Sequence, residues 1–307
     1  SPEGLRFLSQ RGRGSIAERN AKLILMVGVL GVSASAILVR FSQAPSGVTA
    51  AYRLGWTVLL LLPVVLLRCR AELMRVTARD LVLCGASGVL LALHFLTWFE
   101  SLKRTSVASS TVLVSTEVIF TALGFALFLH GKIPRLGVWA ILLAFGGSAL
   151  LALSGGGGAG ELSGNLLALA AASAAAVYTL IGRIQRGHLS TTVYTFLTYL
   201  ACFLTLLLGT AAAGTPLTGY GGREWLIGLA LAVLCTLLGH SLFSWCLKYL
   251  SPSYVSAAKL CEPVFSSLAA IPLFGEVPGP LQLAGGAAVL GAVLLYTWAE
   301  REKTPAG

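Results

Sequence analysis

The stretch Glu117…Gly131-Lys132-Ile133-Pro134 recurs about 146 residues further along the chain as Glu262…Gly275-Glu276-Val277-Pro278. A histidine followed by a tryptophan precedes each glutamate at nearly the same distance: His94 and Trp98 in the first copy, His240 and Trp245 in the second. The residues between these landmarks are overwhelmingly apolar. The pattern therefore predicts a repeated set of membrane helices, and the number of helices in each copy decides the architecture.

The composition excludes an ordinary water-soluble domain. Of the 307 residues, 56% are apolar and only 11% are charged, and the mean hydropathy is +0.83, whereas soluble domains carry about 25% charged residues. A membrane-spanning helix needs about 20 apolar residues. The long apolar runs, rich in Leu, Ala and Gly, suit helices rather than the short alternating strands of a barrel. We therefore expect an all-α polytopic membrane protein.

Ten apolar runs are long enough to be transmembrane helices, and we expect Thr105 to cap the fourth. The runs are 22–40, 47–67, 80–100, 106–129, 135–154, 163–183, 190–213, 224–247, 253–274 and 280–299. Several carry paired small residues, such as Gly146-Gly147 and Gly285-Gly286, which allow close helix contacts.

A glycine-rich connector at 155–162 divides the ten runs into two halves of five, at 22–154 and 163–300. The remaining segments are a basic tail at 1–21 and a short tail at 301–307. Because five is an odd number, the second half enters the membrane from the opposite side. The sequence therefore predicts two inverted five-helix repeats, an architecture that recurs among transporters.

The basic residues behind the net charge of +10 cluster beside the apolar runs, where they determine how the protein is oriented in the membrane. Arg68, Arg70, Arg75 and Arg79 lie between the second and third runs, whereas the connector at 155–162 has no basic residue. This bias predicts that both termini are cytoplasmic and that the connector is external. It also favours contact with anionic membrane lipids over nucleic-acid binding.

Ionisable residues within apolar runs are the candidates for a substrate site. Lys259 and Glu262 share one helix face, where they can pair with each other, and Pro263 removes the amide that would bond the carbonyl of Lys259. A structural ion pair is the alternative. Glu117 occupies the equivalent place in the fourth helix, where it can contact substrate, release protons or hydrogen-bond to a neighbour. Arg53 is either a gating residue or an arginine that extends to the membrane interface.

Aromatic and histidine side chains can form the walls of the same site. His94 and Trp98 lie one turn apart on the third helix, and His240 and Trp245 lie near the corresponding place in the eighth. Such a face suits stacking and cation–π contact with a substrate, although tryptophan also serves as packing or as an interfacial anchor. Tyr178 in the sixth helix is a further candidate.

Catalytic and metal-binding patterns are not found in the sequence. The six cysteines form no CxxC pair, and Gly155–Gly158 lacks the Lys-Ser/Thr of a phosphate-binding loop. We expect neither an enzyme nor a bound metal or cofactor.

With ten helices in two inverted halves, and with Glu262-Pro263 followed by Gly275-Glu276-Val277-Pro278, the chain resembles the EamA-type members of the drug/metabolite transporter superfamily. The first half departs from this motif, with Val118 in place of proline and Lys132 in place of glutamate. Within the superfamily the chain is similar to bacterial exporters of amino acids, including aromatic amino acids.

The resemblance implies a multi-pass protein of the bacterial inner membrane that exports amino acids or related small metabolites by alternating access. Proton-coupled antiport of drugs or other metabolites is the alternative, and exchange of nucleotide sugars or organophosphates ranks third. Only the second copy carries both Lys259 and Pro263, so we expect the substrate near this departure from symmetry.

Overall fold

A computed structural model describes residues 2–128, 133–154, 159–185, 187–246 and 259–301. Over these ranges every regular element is helical. A π-helical segment, Leu231–His240, continues α10 directly into α11. The elements are α1 (Pro2–Phe41), α2 (Ser46–Arg68), α3 (Arg70–Leu73), α4 (Ala78–Arg104), α5 (Val107–Val114), α6 (Glu117–Phe128), α7 (Arg135–Ser154), α8 (Ala159–Gln185), α9 (Thr191–Ala212), α10 (Gly222–Ala230), α11 (Ser241–Cys246), α12 (Cys261–Phe274) and α13 (Pro280–Arg301).

Eight of the described helical stretches are long and apolar enough to cross a membrane. The fifth and ninth predicted helices correspond to two shorter apolar stretches, Arg135–Leu151 and Cys261–Phe274. This agrees with the prediction of an all-helical polytopic membrane protein. Of the predicted boundaries, 135–154 matches α7 at both ends, whereas α8 begins at Ala159 rather than at residue 163.

Side-chain caps explain where several helices begin. Thr77 and Asp80 form a capping box at the start of α4, in which each side chain accepts from the backbone amide of the other. The prediction that Thr105 caps the fourth helix is wrong. Ser106 is the cap, because its hydroxyl accepts from the Ser109 amide at 3.1 Å. Thr105 instead ends α4, and its hydroxyl donates to Asn165 Oδ1 at 2.9 Å.

The helices pack in pairs around a core formed mainly by α2, α4 and α9. Within that core, Leu54, Phe99 and Leu206 are almost completely buried. Around it α4 packs against α8 and α9, α1 against the π-helical segment and α12, α2 against α9 and α10, α6 against α8, and α7 against α13.

Glycines bring two of these helix pairs into backbone contact. A Cβ atom on Gly147 of α7 would lie 2.9 Å from the carbonyl oxygen of Gly285 in α13. A Cβ on Gly31 of α1 would lie 2.6 Å from the carbonyl oxygen of Leu234 in the π-helical segment. These positions confirm the predicted close contacts, whereas a Cβ on Gly146 would meet nothing within 4 Å.

The bundle has two ends, which differ in the turns that they carry. The Arg40 end carries the turns after α1, α4, α9 and α12, and the Asp80 end carries the turns after α2 and α8.

Candidate functional site

Both repeated glutamates stand immediately after an interruption of a helix. The fourth predicted helix is divided at Ser115 and Thr116, and Glu117 begins α6. In the ninth, Lys259 is helical, a turn follows at Leu260, and Glu262 lies in the first turn of α12. A carboxylate in the first turn of a helix is stabilised by the free amides and the helix dipole. Each half of the chain therefore places one glutamate in the first turn of a helix.

The interruption at Glu117 does not require a proline. Ser115 Oγ donates to the Thr111 carbonyl at 2.9 Å, and Thr116 Oγ1 donates to the Leu113 carbonyl at 2.6 Å. These side-chain bonds satisfy carbonyl groups at the end of α5. At the other interruption Pro263 is buried in the first turn of α12, where an amide would have no partner within the helix.

A cavity of about 330 Å³ lies between the two interruptions. Its walls come from α1, α2, α4, α5, α6, α8, α11, α12 and α13. The lining residues are Val32, Ser35, Arg53, His94, Phe95, Trp98, Thr111, Val114, Ser115, Glu117, Val118, Thr121, Ala122, Thr179, Arg183, Phe243, Lys259, Leu260, Glu262 and Tyr296. Both glutamates, three basic residues, a histidine and several aromatic rings therefore face one space.

The charged groups of the cavity have different neighbours. Glu117 Oε1 accepts from the Thr179 hydroxyl of α8 at 2.8 Å. The Lys259 ammonium lies 5.3 Å from the centroid of the Phe243 ring. The predicted ion pair between Lys259 and Glu262 is not among those formed by the described residues. Lys259 contacts an aromatic face instead.

His94 and Trp98 form a stacked pair on α4. Their ring centroids are 5.9 Å apart and their planes differ by 26°. His94 Nδ1 lies 3.0 Å from the Ala171 carbonyl of α8, and because a carbonyl only accepts, this nitrogen carries the proton. The Trp98 indole nitrogen is buried and has no hydrogen-bond acceptor in the described part of the chain.

Arg53 is enclosed inside the bundle. Its relative exposure is 1%, so the structure does not bear out the alternative in which it extends to the membrane interface. Nε donates to the Thr236 hydroxyl at 2.9 Å, and one terminal nitrogen donates to the Ser35 hydroxyl at 3.2 Å. The guanidinium carbon lies 4.4 Å from the centroid of Phe95. Thr236 belongs to the π-helical segment, a type of helix often found at functional sites.

Polar contacts close the bundle at the Arg40 end. The Arg40 guanidinium donates to Glu276 and to the Leu102 carbonyl, and also to the Thr105 carbonyl at 3.3 Å. The second carboxylate oxygen of Glu276 accepts from the Val107 amide at 2.7 Å. We call this set the Arg40–Glu276 latch, and it joins the ends of α1, α4, α5 and α12.

The cavity lies behind this latch and reaches the opposite end. Of its two lining residues on α5, Thr111 and Val114, Thr111 is nearer to the latch, one turn beyond Val107. On the far side it is lined by Arg183, which is exposed near the C-terminal end of α8, and by Tyr296 near the C-terminal end of α13.

The structure brings together six of the residues singled out in the sequence. His94, Trp98, Glu117, Lys259, Glu262 and Arg53 all line the cavity. Tyr178 does not line it and packs against the central core beside Tyr199. The side chains of His240 and Trp245 lie outside the described residues, although their backbone belongs to the π-helical segment and α11.

Sequence reasoning missed several residues of this region. Ser35, Phe95, Thr179 and Tyr296 carry no charge that would distinguish them among similar residues in apolar runs. Glu276 was noticed only as part of a repeated motif. Its opposite charge to Arg40, on the same predicted side of the membrane, was a usable signal for the latch.

No group of three or more His, Cys, Asp or Glu side chains suited to a metal occurs in the described ranges. A helical membrane protein with a polar cavity between interrupted helices has the features of a secondary transporter. Comparison with known families gives the same class. The model of the EamA-like transporter family matches residues 20–153 and 162–298, and the chain belongs to this family.

Individual relatives are more distant. The pseudopaline exporter CntI of two Pseudomonas aeruginosa strains is 24% identical over 207 residues, which are 67% of this chain and 72% of the relative. An uncharacterized protein of the same species is 34% identical over 183 residues, or 58% of this chain and 62% of its own length. One crystal structure covers 93% of this chain and 99% of its own, with a TM-score of 0.62 at 19% identity, and shares the fold.

Proposed function

We propose that this protein is an inner-membrane exporter of amino acids or related small metabolites that works by alternating access. The observation that carries the proposal is the cavity between the two interrupted helices, latched at one end and reaching the other. Acidic, basic and aromatic side chains share this cavity, as an amphoteric substrate with an apolar body requires.

The proposed topology has ten spanning helices in two inverted halves, with both termini cytoplasmic and the connector at 155–162 external. Support comes from the helix pairs. The third and sixth predicted spans, α4 and α8, pack against each other. Their counterparts in the other half are the eighth span, which contains the π-helical segment, and the first span, α1, and these two also pack against each other. Likewise α6 with α8 corresponds to α12 with α1. In this orientation the Arg40 end is external, so the latch closes the outside and the cavity faces the cytoplasm.

The site residues have distinct proposed roles. Glu117 and Glu262 receive the cationic part of the substrate, and Lys259 contributes positive charge beside them. His94 and Trp98 form an aromatic wall, and His240 and Trp245 are proposed as its counterpart in the second half. Tyr178 loses support as a substrate contact because it packs in the core. Arg53 and Pro263 are proposed as gating or hinge residues.

Export is proposed as the direction because the chain resembles a protein named as an exporter. In that direction the cavity, which reaches the cytoplasmic end of the proposed topology, takes substrate from inside. Opening of the Arg40–Glu276 latch then releases it outside. Such a cycle needs no covalent chemistry, and the binding energy of the substrate has only to differ between the two states.

Proton-coupled antiport of drugs or other metabolites is the second candidate, and the two carboxylates that line the cavity favour it. If either must gain and lose a proton in each cycle, transport will stop when the proton gradient is collapsed. A facilitator will continue to move substrate down its gradient under the same conditions.

The test is counterflow into liposomes that contain the purified protein. Liposomes loaded with an unlabelled amino-acid mixture are expected to take up labelled amino acid above the level of protein-free liposomes. A protein that moves no amino acid but moves a cationic dye would exclude the amino-acid proposal and favour the drug antiporter.

A further inference from the structure

The Arg53 guanidinium has hydrogen-bonding capacity that the described residues do not use. A guanidinium has five N–H donors, and Arg53 uses two of them, to Thr236 and Ser35. Both partners are neutral hydroxyls. In the described part of the chain no carboxylate forms an ion pair with Arg53.

A buried charge without a counterion is costly and is rare inside a membrane unless function requires it. Arg53 is 1% exposed, and its guanidinium also lies over the face of Phe95. The ring face weakly compensates the charge, and the two hydroxyls fix the plane of the guanidinium. The result is an oriented cation that lines the cavity and makes no direct ion pair with a described residue, although the Glu262 carboxylate acts on it across the cavity.

We propose that Arg53 is the carboxylate-binding residue of the transport site. The inference rests on the proposed function and makes it more specific, since the substrate must carry a carboxylate. A planar guanidinium matches a carboxylate with two parallel hydrogen bonds. The unused donors of Arg53 provide for such a contact once a substrate enters the cavity.

The charges of the cavity favour a zwitterion over other anions. Glu117 and Glu262 line the same space and repel a second negative charge, so a phosphate dianion fits less well than a single carboxylate. An ammonium group on the substrate pairs with the negative charges of the two glutamates. The rings of Phe95, Trp98 and Phe243 are available to an apolar or aromatic body.

Three ligands that differ only at the carboxylate position test the proposal: phenylalanine, phenylalaninamide and phenethylamine. We expect the two compounds without a carboxylate to inhibit counterflow of labelled phenylalanine about tenfold less than phenylalanine itself, the value for loss of a charge-assisted hydrogen bond. The same order is expected for thermal stabilisation of the purified protein. Equal effects of all three ligands on the wild-type protein would overturn the proposal.

Substitutions identify which cation of the cavity binds the carboxylate of the substrate. Arg53→Gln is expected to reduce the preference for phenylalanine over its amide to about twofold or less, whereas Arg53→Lys retains part of it. Lys259→Gln is the matched control, because it removes a different cation that lines the cavity and is expected to keep the preference for phenylalanine over its amide. Loss of the preference in Lys259→Gln with retention in Arg53→Gln would assign the carboxylate to Lys259 instead.

Two further results keep the test decisive. If Arg53→Gln does not fold, Ser35→Ala and Thr236→Val leave the guanidinium in place but remove the bonds that orient it, and a reduced preference is again expected. If the wild-type protein transports no amino acid, the proposed function fails. Thermal stabilisation by phenylalanine but not by its amide would then still support Arg53 as a carboxylate site, and stabilisation by both would reject it.

Discussion

Weakening of the Arg40–Glu276 latch is expected to expose the cavity to the outside of the cell. Arg40→Gln removes the ion pair with Glu276 and the bonds to the Leu102 and Thr105 carbonyls. Hydrogen bonds to charged groups contribute about 1.5–3 kcal/mol when shielded, and exposed pairs about 0–1 kcal/mol. The two side chains are 24% and 18% exposed, so we expect the latch to stabilise the closed state by about 1–2 kcal/mol. Its loss therefore raises the unlatched population by a factor of about 5–30.

The assay follows a cysteine introduced at Thr111, which lines the cavity next to the latch. The six native cysteines are first replaced, and intact cells are treated with a membrane-impermeant maleimide. Arg40→Gln is expected to raise the labelling rate about 5–30-fold, in proportion to the unlatched population. Glu276→Gln acts on the same contact, so the two substitutions together are expected to have less than the product of their separate effects.

Arg104→Gln is the matched control at the same end of the bundle. Its ion pair with Glu100 spans one turn of α4, and the two side chains are 49% and 37% exposed. Its loss is expected to change the labelling rate by less than about twofold. The reasoning is refuted if Arg40→Gln labels at the wild-type rate, or if Arg104→Gln accelerates labelling as much as Arg40→Gln does.

Two other predictions concern packing and the glutamates. Gly147→Ala is expected to destabilise the protein by about 1–3 kcal/mol, because the added methyl meets the Gly285 carbonyl, whereas Gly146→Ala is expected to be nearly neutral. Thermal unfolding followed by tryptophan fluorescence checks both, and equal midpoints would contradict the close contact. Glu262→Gln is expected to lower counterflow about fivefold or more with normal membrane insertion, as loss of one charged hydrogen bond implies. Glu100→Gln, outside the cavity, is the control, and wild-type rates for Glu262→Gln would exclude a role in transport.

The helices were largely predictable from the sequence because each span must satisfy its own backbone in the membrane. Long apolar runs therefore locate helices with little dependence on tertiary contacts, and both boundaries of α7 agree with the prediction. The cap of α5 was misplaced by one residue. Thr105 and Ser106 are both good capping residues, and the sequence does not reveal that the Thr105 hydroxyl lies against Asn165 of α8 while the Ser106 hydroxyl accepts from the Ser109 amide.

The site was predictable only where a residue was unusual for its surroundings. Glu117 and Glu262 are carboxylates in apolar runs, and both line the cavity. Arg53 was recognised but its environment was not, because burial depends on how α1, α2 and the π-helical segment meet. The break before Glu117 has no proline to indicate it and comes from hydroxyl groups that compete for backbone carbonyls.

Substrate protection of a cavity residue tests most directly whether transport runs through the space between Glu117 and Glu262. A cysteine replaces Ser115, which lines the cavity beside Glu117, in a protein that keeps only the native Cys69 outside the cavity. We predict that saturating phenylalanine slows alkylation of the introduced cysteine about tenfold while Cys69 reacts at an unchanged rate, as expected for a site about 90% occupied. If a transported amino acid leaves both rates unchanged, the substrate does not bind in this cavity and the account is wrong.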